Sequence, residues 1–497
     1  MTRRNPLVLV GVLVALVVGL LAFPMLAPRP ATAASIDYVS LNNKSELSSA
    51  TAQAGANATT QLGAHAANGR SATVGMTRLL RGGTVVQAAP DTYRYPMGVT
   101  SMAIDAAAAT MSPDVANVLA GGQIVLGSTS ANMRGAQVGD VVELIAAAGN
   151  LVQLTIGMIA PDATIGGAEI VVGDAQADAL GLTIVTRMVV WGFASRSALE
   201  DALNANGLIS TTVRVNRSWD IASPDSNLSL SQTKALLGEF PYQITSGDTI
   251  HILPSWVAAN ISGGGVRTPF AGIGIVAACH NTVRPAIQAA LSQVAASGLS
   301  GAINVSNSNQ YGGCFNPRFN RLSGNIGGLS RHAWAMAIDM NTTANPQGGV
   351  PQMDCRVVQI FRHYGFAWGG NFLFSDGMHF EYVGQARDQI GYPSRYCPTG
   401  APVPPYGGLP AFPPGLKVAN PVRASDPVQR TIPDPNATTV PSSTTVPATT
   451  TTAAGAVPGA RPAVIESPAI QAAPLAEAVP MSQRSVMFGS DGFSDGD

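Results

Sequence analysis

The chain has 497 residues, of which 46% are hydrophobic and 11% charged. Its 28 basic and 29 acidic residues leave a net charge of -1, which gives no electrostatic case for nucleic-acid binding, since that needs a basic face. So long a chain exceeds one ordinary core, and two or more domains are expected.

The N-terminus reads as an export segment. Arg3 and Arg4 precede an almost wholly apolar run over residues 7–23, and Ala31-Thr32-Ala33 then offers a small-residue cleavage site. The run is long for a signal peptide and barely long enough to span a bilayer, so residues 1–34 are expected to be a cleaved signal or a retained membrane anchor. Either way, the positive-inside rule leaves the body of the chain outside the cytoplasm.

Residues 35–265 lack cysteine and alternate Gly-rich turns with β-like runs at 141–145, 152–159, 184–191 and 249–253. Ala147-Ala148-Gly149-Asn150 reads as a hairpin loop, and Ser197-Ala198-Leu199-Glu200 as a capping box opening a short helix through Leu203. A mostly β extracytoplasmic region is expected, as one unit or as two with a break between 85 and 135. The Ala/Ser/Thr-rich stretch 48–75 reads as flexible or weakly helical. His65 and His251 have no acid or histidine at ligand spacing. Ser262-Gly263-Gly264-Gly265 reads as a linker.

From 268 to 398 the texture becomes α+β. Residues 284–296 carry Ile287, Leu291 and Val294 on one helical stripe, ended by Gly298. Residues 355–364 repeat the pattern with Val357, Phe361 and Tyr364, and Gly365 is the expected C-cap. Short strands fit 302–305, 335–340, 366–368 and 379–383. Residues 399–497 are rich in Pro, Thr and Ala, cannot bury a core and are expected to be disordered.

All four cysteines (Cys279, Cys314, Cys355 and Cys397) fall inside the α+β window. In an exported chain an even count without a CxxC argues for two disulfides, in any of three pairings, and against a thiolate metal site.

The same window holds the residues that carry chemistry. A hydrolytic zinc site takes three protein ligands, usually imidazoles and a carboxylate, and leaves a fourth position open. His332, Asp339 and His379 make such a set. Period-two alternation puts Ala337 and Asp339 on one strand face, and His379 and Glu381 on another. Two adjacent antiparallel strands would bring Asp339 and His379 together. A lone histidine is ordinarily structural, but Asp339 in an apolar strand requires a partner. Asp376, three residues before His379, is placed to take a proton from the attacking water and pass it to the leaving amine. Arg318 suits a substrate carboxylate or a developing oxyanion. His363 and His280 read as structural. Trp334, Trp368 and Tyr382 read as core, with Trp368 the candidate for lining the cleft.

The run Ser330-x-His332-x-x-Ala335-x-Ala337-x-Asp339 resembles the S-x-H-x-x-G-x-A-x-D signature of VanY-type zinc D-Ala-D-Ala carboxypeptidases, a group that includes peptidoglycan endopeptidases and the hedgehog N-domain. Asp376-Gly377-Met378-His379 resembles the family's second motif, an acid three residues before histidine. The likeness covers roughly residues 275–398. It implies a small α+β fold with an antiparallel sheet, a bound Zn2+ and peptidoglycan stem peptides as substrate. It also implies zinc ligation by His332, Asp339 and His379, Asp376 as general base, Arg318 on the substrate and Ser330 in support. Ala335 stands where the family has glycine, and an added methyl there is expected to narrow the site. Three functions stay open at this point: a D,D-carboxypeptidase, an endopeptidase cutting L-Ala-D-Glu or another stem-peptide bond, and a degenerate zinc-bound module that binds cell wall or protein.

Overall fold

The structure, a computed structural model, describes residues 38–43, 66–205, 213–220, 223–320, 328–392 and 394–399. The expected leader at 1–34, His65 and the tail from 400 onward lie outside the described residues. Among the described residues the chain is mixed α/β, with two main sheets, and no helix is long and apolar enough to cross a membrane.

A ten-stranded sheet spans the N-terminal region. Its organising strand is β2 (Ala66–Arg81), which covers part of the stretch expected to be flexible or helical. Small residues form a strand here because β2 has partners along both edges and buries Val74, Met76 and Leu79. β2 pairs β4 (Tyr95–Ser101), β4 pairs β8 (Ile170–Val172), and β8 pairs β5 (Ile124–Gly127). β5 pairs β7 (Leu151–Ala160), β7 pairs β6 (Val141–Ile145), and β6 returns to β2, closing a six-stranded ring. Two of these pairings, β4–β8 and β5–β7, are parallel. Closure removes the exposed edges that an open sheet would leave. Outside the ring, β1 (Tyr38–Asn43) pairs β9 (Val185–Trp191) and β10 (Val213–Arg217), and β9 continues along β2. One sheet therefore runs unbroken through the expected gap between 85 and 135. The helix expected at 197–203 spans Arg196–Ala205, and Ser195, rather than Ser197, accepts the Ala198 N–H at its start.

The second sheet is small and wholly antiparallel, in the order β15 (Tyr311–Gly312), β16 (Ala337–Met340), β18 (His379–Tyr382), β17 (Phe366–Trp368). Ile338 and Met340 of β16, and Phe380 and Tyr382 of β18, enter one core cluster with two helices, Arg284–Ala296 and Cys355–His363. Phe361 packs on Phe380 with ring centroids 4.6 Å apart. Alternation then leaves Ala337, Asp339, His379 and Glu381 on the opposite face. Residues 302–305 do not form the expected strand. A 3-10 turn over Ser300–Ala302 leads into irregular chain, in which the Asn304 N–H is bonded by the Asn341 side chain rather than by a sheet neighbour. The disulfides pair Cys279 with Cys314 and Cys355 with Cys397.

The core that carries the second sheet begins upstream of residue 265. Leu228, Leu237, Phe240, Tyr242, Ile250, Ile252 and Ile261 belong to it, and Ser262 bonds the Cys279 backbone through both its own N–H and its hydroxyl. Residues 262–265 are thus a packed turn rather than a free linker. Asp225 accepts two bonds from the buried Arg362 guanidinium and one from the Trp368 N–H. On the other side, the fully buried Lys234 donates to Glu169 at 2.5 Å and to the Pro96 carbonyl at 2.6 Å, both in the N-terminal region. Burial alone would raise the Glu169 carboxyl, but Lys234 and then Arg134 outweigh it and hold the carboxyl below its ordinary range.

His280 binds this upstream segment to the second sheet. Its Nε2 lies 3.0 Å from the Leu237 carbonyl, its Nδ1 accepts from the Thr282 N–H, and its own N–H donates to Ala335. Burial pushes the imidazole down to about 4. The unfolded chain protonates first, near 6.5, so the folded state is favoured fully above that pH and loses ground as pH falls towards 4. Thermal or urea unfolding between pH 7 and pH 4 is expected to show a loss of about 3 kcal/mol from this residue, reduced in His280→Gln.

Candidate metal centre

His332 is held by local geometry before any metal is considered. It sits in a 3-10 turn, Arg331–Trp334, whose N-cap Ser330 accepts the His332 N–H at 3.2 Å. Its Nδ1 lies 3.2 Å from the Cys314 carbonyl, next to the Cys279–Cys314 bridge. With Nδ1–H donating there, Nε2 is left to serve as a ligand.

Asp339 and His379 are directly opposed in the β16–β18 register, as alternation on adjacent antiparallel strands requires. Asp339 Oδ1 is 3.1 Å from His379 Nδ1, and Oδ2 is 3.3 Å from His332 Nε2. All three ligand atoms lie within 4.8 Å of one another and all three residues are buried. Ligands bonded tetrahedrally to zinc at 2.0–2.1 Å stand about 3.3 Å apart, so this donor set fits zinc in both chemistry and spacing. Burial would raise the Asp339 carboxyl, but His332 and then His379 outweigh it and hold the carboxyl well below the usual carboxylate range.

Residues 323–382 match the family model described as D-alanyl-D-alanine carboxypeptidase. The match takes in Ser330, all three candidate ligands and Asp376, and begins after Arg318. At family level it supports a zinc D-Ala-D-Ala carboxypeptidase-like peptidase. No curated protein matches the chain.

The other expected residues take places of their own around this carboxypeptidase-like segment. Asp376 is buried on the turn entering β18, where its N–H donates to Gly369 and its carbonyl accepts from the His379 N–H. Arg318 is buried, its carbonyl accepts the Ser330 N–H, and its guanidinium donates to the Phe319 carbonyl at 3.3 Å. The backbones of Arg318 and the His332 turn are therefore adjacent. Trp368 does not line a cleft. It is 1% exposed and its Nε1 donates to the Gly377 carbonyl at 2.9 Å, so it supports the Asp376-Gly377 turn from within the core. His363 pairs with Asp388 at 2.9 Å and is not among the candidate ligands.

Ala335 does not intrude as a methyl in the site. It closes the 3-10 turn with φ 52°, in the left-handed region, and its side chain is buried in the core. Glycine suits such a position because the left-handed conformation costs other residues about 1–2 kcal/mol. The departure at Ala335 is therefore a cost in backbone conformation.

Two glycines shape the centre and escaped sequence reasoning, since nothing in a lone glycine announces a close approach. A Cβ at Gly312, which opposes Asp339 in the sheet, would lie 2.9 Å from Asp339 Oδ2. A Cβ at Gly369 would lie 2.5 Å from the Asp376 carbonyl oxygen and 3.1 Å from the Cβ atoms of Asp376 and His379. Gly369→Ala must shift the turn that carries both residues. It is expected to destabilise the protein by about 1–3 kcal/mol and to weaken zinc binding, as read by calorimetry on the metal-free and metal-loaded forms.

Proposed function

We propose that this chain is an exported zinc peptidase that acts on peptidoglycan stem peptides and removes the terminal D-alanine. The observation that carries this reading is the His332, Asp339 and His379 triad inside the family-matched segment, with Asp376 three residues before the last ligand. Zinc supplies Lewis-acid chemistry when bound, polarising a carbonyl and lowering the pKa of water to about 7. Asp376 accepts the proton of the attacking water and returns it to the leaving amine. Arg318 engages the substrate carboxylate, for which a fixed guanidinium is suited. Ser330 holds the His332 turn in place through its hydroxyl. Two disulfides support a location outside the cytoplasm, where such bonds persist.

The test incubates the full chain with muropeptides bearing pentapeptide stems and reads the products by mass spectrometry. Loss of one D-alanine, abolished by chelator and restored by zinc, is the expected result. Cleavage at L-Ala-D-Glu would make it an endopeptidase. Stoichiometric zinc without turnover on any muropeptide would overturn the enzymatic reading and favour a wall-binding or protein-binding module.

A further inference from the structure

Glu381 is fully buried on β18, two residues after His379 and on the same face of the strand. Its Oε2 lies 3.4 Å from His379 Nε2, and its Oε1 lies 3.8 Å from Arg331 Nε. Arg331 in turn donates from Nη1 to Thr233 Oγ1 at 3.0 Å and from Nη2 to the Leu228 carbonyl at 2.5 Å. A carboxylate buried this deeply is costly without a partner that balances its charge or donates a hydrogen bond to it. Here the partners form a continuous line from the upstream segment 228–233, through Arg331 and Glu381, to the outer nitrogen of a candidate metal ligand.

The protonation of His379 gives that line a purpose. Its Nδ1 faces Asp339 and the metal position, so a neutral imidazole that binds metal through Nδ1 must carry its proton on Nε2. That N–H needs an acceptor, and Glu381 provides one. We propose that Glu381 and Arg331 are positioning residues for the metal centre. Glu381 holds the Nε2–H tautomer and ring orientation of His379, and Arg331 balances Glu381 and ties it to the 228–233 segment. The proposal rests on the metal-site reading above and adds a role for two residues on either side of the ligands, together with a requirement for chain upstream of the family match.

Zinc affinity of the full chain, measured by chelator competition, tests this independently of peptidase activity. Glu381→Gln keeps the volume but removes the charge, and is expected to weaken zinc binding about 10–100-fold. Arg331→Met is expected to weaken it less, and the double variant to bind within about two-fold of Glu381→Gln, because the pair acts as one unit. In zinc-loaded wild-type protein, nitrogen-15 NMR of His379 is expected to show a protonated Nε2 and a metal-bound Nδ1. This readout does not depend on how any variant folds. Metal bound at Nε2, wild-type affinity in Glu381→Gln, or additive losses in the double variant would each overturn the proposal. A wild-type chain that binds no zinc would instead remove the metal-site reading beneath it.

Discussion

A chain cut back to residues 268–399 is expected to be unfolded, whereas one that begins at 223 is expected to keep the small sheet and the candidate metal ligands on it. The shorter chain loses Leu228, Leu237, Phe240, Tyr242, Ile250, Ile252 and Ile261, all buried in the core that also holds Trp334, Ile338 and Phe380. At about 1.5–3 kcal/mol for each fully buried apolar side chain, that is roughly 10–20 kcal/mol, as large as the whole stability of an ordinary domain. The cut also removes Asp225 from Arg362, leaving a guanidinium that is fully buried in the intact protein without its carboxylate. The two disulfides remain, closing loops of 35 and 42 residues in sequence separation. Their loop-closure contribution of about 4 kcal/mol each does not offset the loss. Near-UV circular dichroism and limited proteolysis of the two truncated chains, kept oxidised, distinguish the outcomes. A cooperative unfolding transition in 268–399 would contradict the expectation.

Replacing Asp376 by Asn is expected to lower turnover by about 10²- to 10⁴-fold while leaving one zinc bound. The amide preserves the shape of the turn, whose backbone bonds to Gly369 and His379 do not use the side chain. It removes the basic oxygen proposed to take the proton from water. Zinc content is expected to hold because the candidate ligand atoms among the described residues belong to His332, Asp339 and His379. Turnover on a pentapeptide muropeptide, measured beside metal analysis of the same sample, checks both halves. Loss of zinc would move Asp376 from proton carrier to ligand or structural support, and unchanged turnover would remove it from the chemistry.

Much of the centre was legible in the sequence because its elements are short-range and periodic. The helices at 284–296 and 355–363 follow from apolar stripes with a positive-φ glycine soon after the last turn, Gly298 and Gly365. The opposition of Asp339 and His379 follows from alternation on two neighbouring strands, and the register confirms it residue for residue. Glu381 could be placed on the face of His379 by the same rule. The strand expected at 302–305 does not form because four residues, one of them the polar Asn304, carry too little local signal to resist their neighbours, and Asn341 captures the backbone instead. Trp368 stood open between core and cleft because an indole reads alike in both until its N–H finds a partner, here the Gly377 carbonyl.

The sequence by itself determined which residues could hold a metal, which acid could carry a proton and where the cysteines cluster, since these depend on residue type and spacing. Only the tertiary structure decided that Cys279 joins Cys314 and Cys355 joins Cys397, and that β2 closes a six-stranded ring. It also decided that segment 223–261 packs with the small sheet, through the core and through Asp225 on Arg362, Leu237 on His280 and Leu228 on Arg331. These depend on contacts between residues tens to more than a hundred positions apart. Their free energy comes from burial and from pairing buried charge, and neither leaves a local pattern in the chain.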